Sequence, residues 1–398
     1  MIYIYAFICM AFPKAGILLG GLPLNLSTIL LPFVVFYYRD YIIELSRKYK
    51  LFFYMLCLFI STSFIATILN INIAPKLALA ITLIQVLSPF CIMLGYNADY
   101  EKAMRIIAIS LCIVGGYALL QYLFGIEETA IYGLNIAYGD SFTDKPIGYG
   151  FNGSDALKMP STYQNGNAAG LFYALAIPCV ISWKAMNKKN KVMKFISIVL
   201  GIIGISMSGS RSIIIPFVFI TPFIIKNIYD KLIYKKQLLF HMIIIVAVLL
   251  GTAYFILFNT EYLTYMIDRY IITTLSDTTG AGRTTLYASY LDNLNNMKIF
   301  EVLKSILIGM SWDKCHWIEG VVYNLEYYGL VNFVCFNIIL LIGIFKLIRK
   351  RYLVSLGLIC VYIAFVIDAS FNFTPGLINY FWMTGFLLKH YRDKKMYN

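Results

Sequence analysis

Two arginines are the residues of this sequence best suited to bind an anion. Arg211 directly follows Ser210 in a short hydroxyl-rich run between two apolar stretches, and Arg283 stands at the start of a stretch with helical spacing. A guanidinium donates two parallel N–H groups to phosphate or carboxylate oxygens, and the free amides at a helix N-terminus favour the same ligands. An arginine at a membrane boundary also serves as a plain anchor, but we expect Arg211, with Ser210, and Arg283 to bind an anionic substrate.

His316 is a candidate general base. It is followed by Trp317 and Glu319 and preceded by Asp313, at the entrance to an apolar stretch. Imidazole titrates near neutral pH and can accept a proton from a hydroxyl, while a neighbouring carboxylate orients the ring. A single histidine at such an entrance often has a structural role instead. We predict that His316 and Glu319 belong to a catalytic set, with Asp313 as the alternative orienting acid.

A polar run over residues 158–170 precedes another apolar stretch. Asparagine before an apolar helix ordinarily caps it, which accounts for one of the two asparagines, Asn165 and Asn167. A cap does not account for the cluster of polar side chains around them. We therefore predict that Asn165 or Asn167 also contacts a substrate.

The elements that must position these residues are apolar helices. Of the 398 residues, 60% are hydrophobic and 13% are charged, and the mean hydropathy is +0.74, whereas soluble domains are about 45–50% apolar and about 25% charged. These values exclude a water-soluble core and a disordered chain. Apolar runs of about 17–25 residues predict an all-α, polytopic membrane protein, a single domain over 1–398. Its twelve spans are expected near 2–20, 23–38, 51–70, 77–96, 105–124, 166–183, 195–210, 211–225, 238–258, 319–345, 352–371 and 374–390.

The 33 lysines and arginines indicate the orientation of these spans. Most of them fall in alternate short loops, and short cytoplasmic loops carry an excess of cations. The pattern predicts cytoplasmic termini and two long periplasmic loops, 125–165 and 259–318, the second with an amphipathic helix over about 286–301. The net charge of +13 is then a topology signal, and we expect no nucleic-acid partner. No group of acidic residues, cysteines or histidines has the spacing of metal ligands, so we expect no metal and no cofactor.

The order of these features resembles the O-antigen polymerase and O-antigen ligase superfamily, membrane glycosyltransferases of the GT-C type. The matching elements are spread over residues 160–335. They are the run Ser161-Thr162-Tyr163-Gln164-Asn165-Gly166-Asn167, the turn Ser208-Gly209-Ser210-Arg211, the pair Gly282-Arg283, the pair His316-Trp317 and the helix end Glu326-Tyr327-Tyr328-Gly329-Leu330.

The resemblance implies a multi-pass protein of the bacterial inner membrane that transfers a glycan from undecaprenyl diphosphate to a hydroxyl at the periplasmic face. Arg211 and Arg283 would neutralise the diphosphate leaving group, His316 would take the proton, and Trp317 would contact sugar. Lys158 would stand in place of the arginine that precedes the asparagine motif in the family and, with Asn165 and Asn167, would bind the substrate. The substrate is then a membrane lipid, and a chain-length regulator is a candidate partner. We expect a polymerase, whose acceptor is another repeat unit. A ligase acting on lipid A core and a flippase for the same lipid-linked glycan are the alternatives.

Overall fold

The computed structural model is helical apart from one hairpin, within the residues that it describes: 1–19, 22–126, 128–131, 133–134, 158–233, 264, 267–277, 283–316, 320–349, 353–367 and 375–392. The hairpin pairs β1 (Gly16–Leu19) with β2 (Leu22–Asn25) in antiparallel orientation. The helices are α1 (Ile2–Ala11), α2 (Leu26–Tyr37), α3 (Arg39–Lys48), α4 (Lys50–Asn70), α5 (Pro75–Leu87), α6 (Cys91–Asn97), α7 (Tyr100–Phe124), α8 (Gly166–Ser182), α9 (Lys188–Met207), α10 (Arg211–Ile233), α11 (Thr273–Ser276), α12 (Arg283–Asn295), α13 (Ile299–Ile308), α14 (Tyr323–Ile348), α15 (Val354–Ile367) and α16 (Gly376–Arg392).

Five of these helical units are long and apolar enough to cross a membrane: α4, the continuous unit of α5 and α6, α7, α9 and α14. A sixth is obtained if α2 and α3, which are bent by 68° at their junction, are counted as one broken span. The helical fold predicted from composition is therefore confirmed, and the long apolar helices are consistent with a multi-pass membrane protein. The described residues supply five or six candidate spans rather than twelve, and the span predicted near 238–258 lies outside them.

Proline and glycine set the places where helices depart from the predicted spans. The span predicted near 2–20 is not one helix: α1 ends at Ala11 and β1 follows. Pro13 explains the end, because proline has no N–H and disfavours helical backbone at the residue before it. In α14 the helical path is broken at Gly329, whose φ is 81°, a value that favours glycine. The turn that carries Glu326 is thereby separated from the apolar part of α14.

Glycines also allow the helices to pack closely. α6 and α16 meet at Gly95 and Gly385: a Cβ atom at Gly95 would overlap the Trp382 carbonyl, and one at Gly385 would overlap the Ile92 carbonyl. Small residues at a helix crossing let the two backbones approach, and such packing drives helix association within lipid. The contact buries Trp382 almost completely.

We predict that Gly385→Ala lowers the thermal stability of the protein in detergent. The added methyl group would have to displace backbone, and overpacking of this kind costs about 1–3 kcal/mol. The measurement is the midpoint of thermal unfolding. The control is Gly116→Ala on α7, where the nearest atom, Leu200 Cδ1, lies 4.0 Å from the new Cβ, so the midpoint should stay level or rise. Equal midpoints for the two variants would contradict the close contact of α6 with α16.

Candidate functional site

Asn165 is the N-cap of α8. Its backbone is extended, and its side-chain Oδ1 accepts a hydrogen bond from the Ala168 N–H at 2.8 Å. This satisfies one of the amides that have no partner within the helix. Asn167 lies in the first turn of α8 and is half-buried. The capping role suggested by the sequence is confirmed for Asn165, and substrate contact by either asparagine stays a prediction.

The start of α8 packs against the hydroxyl-rich turn that precedes α10. A Cβ atom at Gly166 would overlap the Ser208 carbonyl, so glycine is required for this approach. Beside it, the Met159 N–H donates to the Met207 carbonyl at 3.0 Å. The structure therefore brings the segment that begins at Lys158 next to the turn that ends at Ser210, although the two are separated by about 50 residues of chain.

Arg211 opens α10 and is held by the second long loop. Its Nη2 forms an ion pair of 3.0 Å with Asp277 Oδ2, and its Nη1 donates to the Thr273 carbonyl at 3.1 Å. The two paired side chains are only 18% and 16% exposed, so each charge needs the other to offset lost hydration. The Tyr270 hydroxyl adds a bond to the Ser206 carbonyl at 3.3 Å. The segment 268–277 thus lies over the turn that carries Arg211.

Arg283 is the first residue of α12, so the predicted position of this arginine at a helix start is confirmed. It follows Asp277 by six residues, and a chain of that length spans at most about 20 Å. The predicted amphipathic helix over 286–301 is instead two helices, because α12 ends at Asn295 and α13 begins at Ile299. Asparagine disfavours helix interiors, and Asn295 and Asn296 stand at this break.

His316 is positioned by a buried carboxylate. Its backbone N–H donates to Glu326 Oε1 at 2.7 Å, and its ring Nδ1 lies 3.9 Å from the same oxygen. The Asn293 amide nitrogen lies 3.3 Å from the ring Nδ1. The His316 side chain is 29% exposed, whereas that of Glu326 is fully buried. The ring is therefore accessible from outside while an acid stands behind it.

The orienting acid is thus Glu326 rather than Asp313. Asp313 is held by Asn72: the Asn72 amide donates to its carboxylate, and its own N–H donates to Asn72 Oδ1 at 3.2 Å. The predicted site residues Trp317 and Glu319 lie outside the described residues. The sequence signal for Glu326 is its place in the run Glu326-Tyr327-Tyr328-Gly329-Leu330, ten residues after His316, where a long apolar stretch begins.

Aromatic packing fixes the turn that carries Glu326. Tyr323 and Tyr327 stack with ring centroids 4.4 Å apart, and Trp312 meets Tyr327 edge-on at 5.1 Å. All three rings are buried. The Met310 N–H also donates to the Glu326 carbonyl at 2.7 Å. These contacts hold the carboxylate in place, which a base with a defined orientation requires.

Arg283 and His316 stand near opposite ends of α12. His316 contacts Asn293 in the last turn of this helix, and Arg283 is its first residue. Ten residues of helix separate these two positions, which is about 15 Å along the axis. The candidate site therefore has two polar centres: a cationic one with Arg211 and Asp277, connected through the chain to Arg283, and a second one with His316 and Glu326.

We predict that Glu326→Gln speeds alkylation of Cys315. Burial raises the pKa of the Cys315 thiol, and the negative charge of Glu326 raises that pKa further. Because the thiolate is the reacting form, loss of the charge should increase the rate with iodoacetamide at pH 8. The rate is measured by mass spectrometry of the peptide that contains Cys315. Glu301→Gln, which removes an exposed carboxylate on α13, is the control. Equal rates in the two variants would contradict a charged Glu326 beside this thiol.

Comparison of the chain with protein-family models, with curated proteins and with solved structures finds no match.

Proposed function

We propose that this protein is a surface-polysaccharide polymerase of the O-antigen type, a glycosyltransferase of the bacterial inner membrane. It would transfer a glycan from undecaprenyl diphosphate to a hydroxyl of an acceptor repeat unit at the periplasmic face. The observation that carries the proposal is the setting of Arg211, a largely buried guanidinium at a helix start, among hydroxyls, with a loop carboxylate as its ion-pair partner. Such a setting suits a phosphate group.

The topology that we propose has twelve spans, with both termini in the cytoplasm. Five or six helices with the length and composition of spans support it, together with the cations of the short loops. With this orientation the turn before Arg211 and the segments around Arg283 and His316 lie on the periplasmic side. All three are then at the surface where a lipid-linked glycan presents its diphosphate.

The reaction that we propose is attack of an acceptor hydroxyl on the anomeric carbon of the donor sugar. The bond from that carbon to the diphosphate oxygen breaks, and negative charge builds up on the departing undecaprenyl diphosphate. Arg211 and Arg283 stabilise this charge. Electrostatic stabilisation of the transition state is usually the largest single contribution to catalysis. His316 takes the proton of the attacking hydroxyl, and the carboxylate of Glu326 behind the ring stabilises the imidazolium that forms.

Asp277 occupies the cationic centre in the absence of substrate. A diphosphate carries more negative charge than one carboxylate, and it can accept more of the N–H groups of the guanidinium. We propose that the substrate displaces Asp277 from Arg211 and that segment 268–277 moves with it. The donor sugar would then lie along α12, between Arg283 at one end and His316 at the other.

We predict that Arg211→Ala, Arg283→Ala and His316→Ala each abolish chain extension. Loss of a group that stabilises the leaving oxyanion costs about 10²–10³ in rate, and loss of a general base about 10²–10⁴. The variants are expressed in a strain that lacks the gene, and surface polysaccharide is compared on a gel. Lys298→Ala, which removes an exposed cation of the same long loop, should restore full-length polymer. Full-length polymer from all three site variants, at normal membrane levels, would overturn the proposed function.

The gene deletion itself separates the polymerase from its alternatives. A single repeat unit on the core indicates a polymerase, and naked core with polymer retained on the lipid carrier indicates a ligase. Loss of every intermediate at the outer face indicates a flippase. The last two results would each replace the polymerase proposal.

We also predict that Asp277→Asn increases affinity for undecaprenyl diphosphate by several-fold. The substitution keeps the shape of the side chain but removes the carboxylate that competes for Arg211. Affinity is measured by titrating purified protein in detergent. The control is Asp268→Asn, which removes an exposed carboxylate from the same segment and should leave the affinity unchanged. An affinity that falls in Asp277→Asn would show that Asp277 helps to build the site instead of competing for it.

A further inference from the structure

A crevice opens in the wall of the helix bundle, far along the chain from both polar centres. It encloses a volume of about 60 Å³. α3, α4, α6, α14 and α16 each contribute lining residues. The lining residues are Leu45, Tyr49, Phe52, Phe53, Ile92, Met93, Tyr96, Ile342, Lys346 and Leu388.

The crevice enters the bundle instead of following its surface. Two of its lining residues are buried: Met93 is 2% exposed and Leu388 is 9% exposed. Its polar groups are few: the ammonium of Lys346 and the hydroxyls of Tyr49 and Tyr96, which lie 3.1 Å from each other. A cavity of this composition excludes sugars and other polar ligands and accommodates a hydrocarbon chain.

A shallower groove continues from the crevice along α14. It is lined by residues of one helix face, Ile338, Leu341, Ile342, Phe345, Lys346 and Arg349, and it shares Ile342 and Lys346 with the crevice. From Ile338 to Arg349 this face is about 16 Å long. The hydrocarbon of one leaflet is half of a core of about 30 Å. The groove together with its basic end is therefore about as long as one leaflet is deep.

The end of this groove is basic. Lys346 and Arg349 are exposed at the C-terminal end of α14, and Lys48 and Lys50 are exposed at the junction of α3 and α4 beside Tyr49. One acidic residue, Glu44, precedes Leu45 on α3. Basic pockets between transmembrane helices bind the headgroups of anionic lipids. The positive charge at this end of the groove thus complements a lipid whose phosphodiester has no cationic group in the same headgroup.

We propose that this groove is a binding site for one anionic phospholipid. An acyl chain lies along the groove of α14 with one segment in the crevice, and the phosphate lies against Lys346 and Arg349. A zwitterionic lipid fits the same apolar walls, but the cation of its headgroup is repelled by Lys346 and Arg349. It therefore binds less well. The site is independent of the proposed glycosyl transfer, because it lies at the basic ends of helices and uses no residue of the two polar centres.

The test uses the full chain, purified in detergent, stripped of lipid and supplied with phosphatidylglycerol or phosphatidylcholine of equal acyl chains. Bound lipid is counted by native mass spectrometry during titration. We expect a preference for phosphatidylglycerol of roughly 30-fold, as two cations near a membrane surface provide. Lys346→Gln with Arg349→Gln should remove the preference, whereas Lys188→Gln with Lys189→Gln, two exposed cations outside the groove, should keep it.

A second pair of variants tests the crevice itself. Ile342→Trp fills the crevice and should release both lipids, whereas Val334→Trp, at an exposed position of the same helix, should not. Ile342→Ala enlarges the crevice and should keep the lipid, which separates lost binding from a folding defect of the Trp variant. Equal binding of the two lipids, unchanged preference in the double Gln variant or preferential binding of undecaprenyl phosphate would each overturn the proposal.

Discussion

A charged side chain that is buried in a mostly apolar protein needs an ion pair or a hydrogen bond to offset its lost hydration. The candidate site contains two such side chains. The Arg211 guanidinium pairs with Asp277 at 3.0 Å, and the buried Glu326 carboxylate accepts the His316 N–H at 2.7 Å. Burying either charge alone would cost several kcal/mol. Each pair therefore ties one stretch of loop to a helix end, and the positions of the loops follow from these two ties.

The two ties are joined by α12, which gives the second long loop its shape. Asp277 precedes this helix and Asn293 near its end contacts the His316 ring. A loop of this size with no fixed points would lose much conformational entropy on ordering. The first tie lies six residues before α12, and the second lies in its last turn. Under the proposed function, this helix would connect a diphosphate at the arginines to the orientation of the base.

Local signals in the sequence predict the local features of the site. The asparagine before an apolar run predicts the cap at Asn165, and the position of Arg283 predicts a helix start. The partners could not be predicted in this way, because they depend on how distant segments meet. Asp277 is 66 residues from Arg211, and the His316 N–H donates to Glu326 while the nearer Asp313 is held by Asn72. Likewise, composition predicts apolar helices, but Pro13 and Gly329 decide where a predicted span stops being one helix.

The break at Gly329 has a consequence for the depth at which chemistry takes place. Glu326 lies three residues before the break, so it belongs to the short turn that precedes the apolar part of α14. Under the proposed function, a base held by this carboxylate would work close to the boundary between hydrocarbon and water. Under the proposed function, the acceptor hydroxyl has to descend to that level. Glycans that are still attached to their lipid are held at the membrane surface, so the position of the base would select them over free glycans.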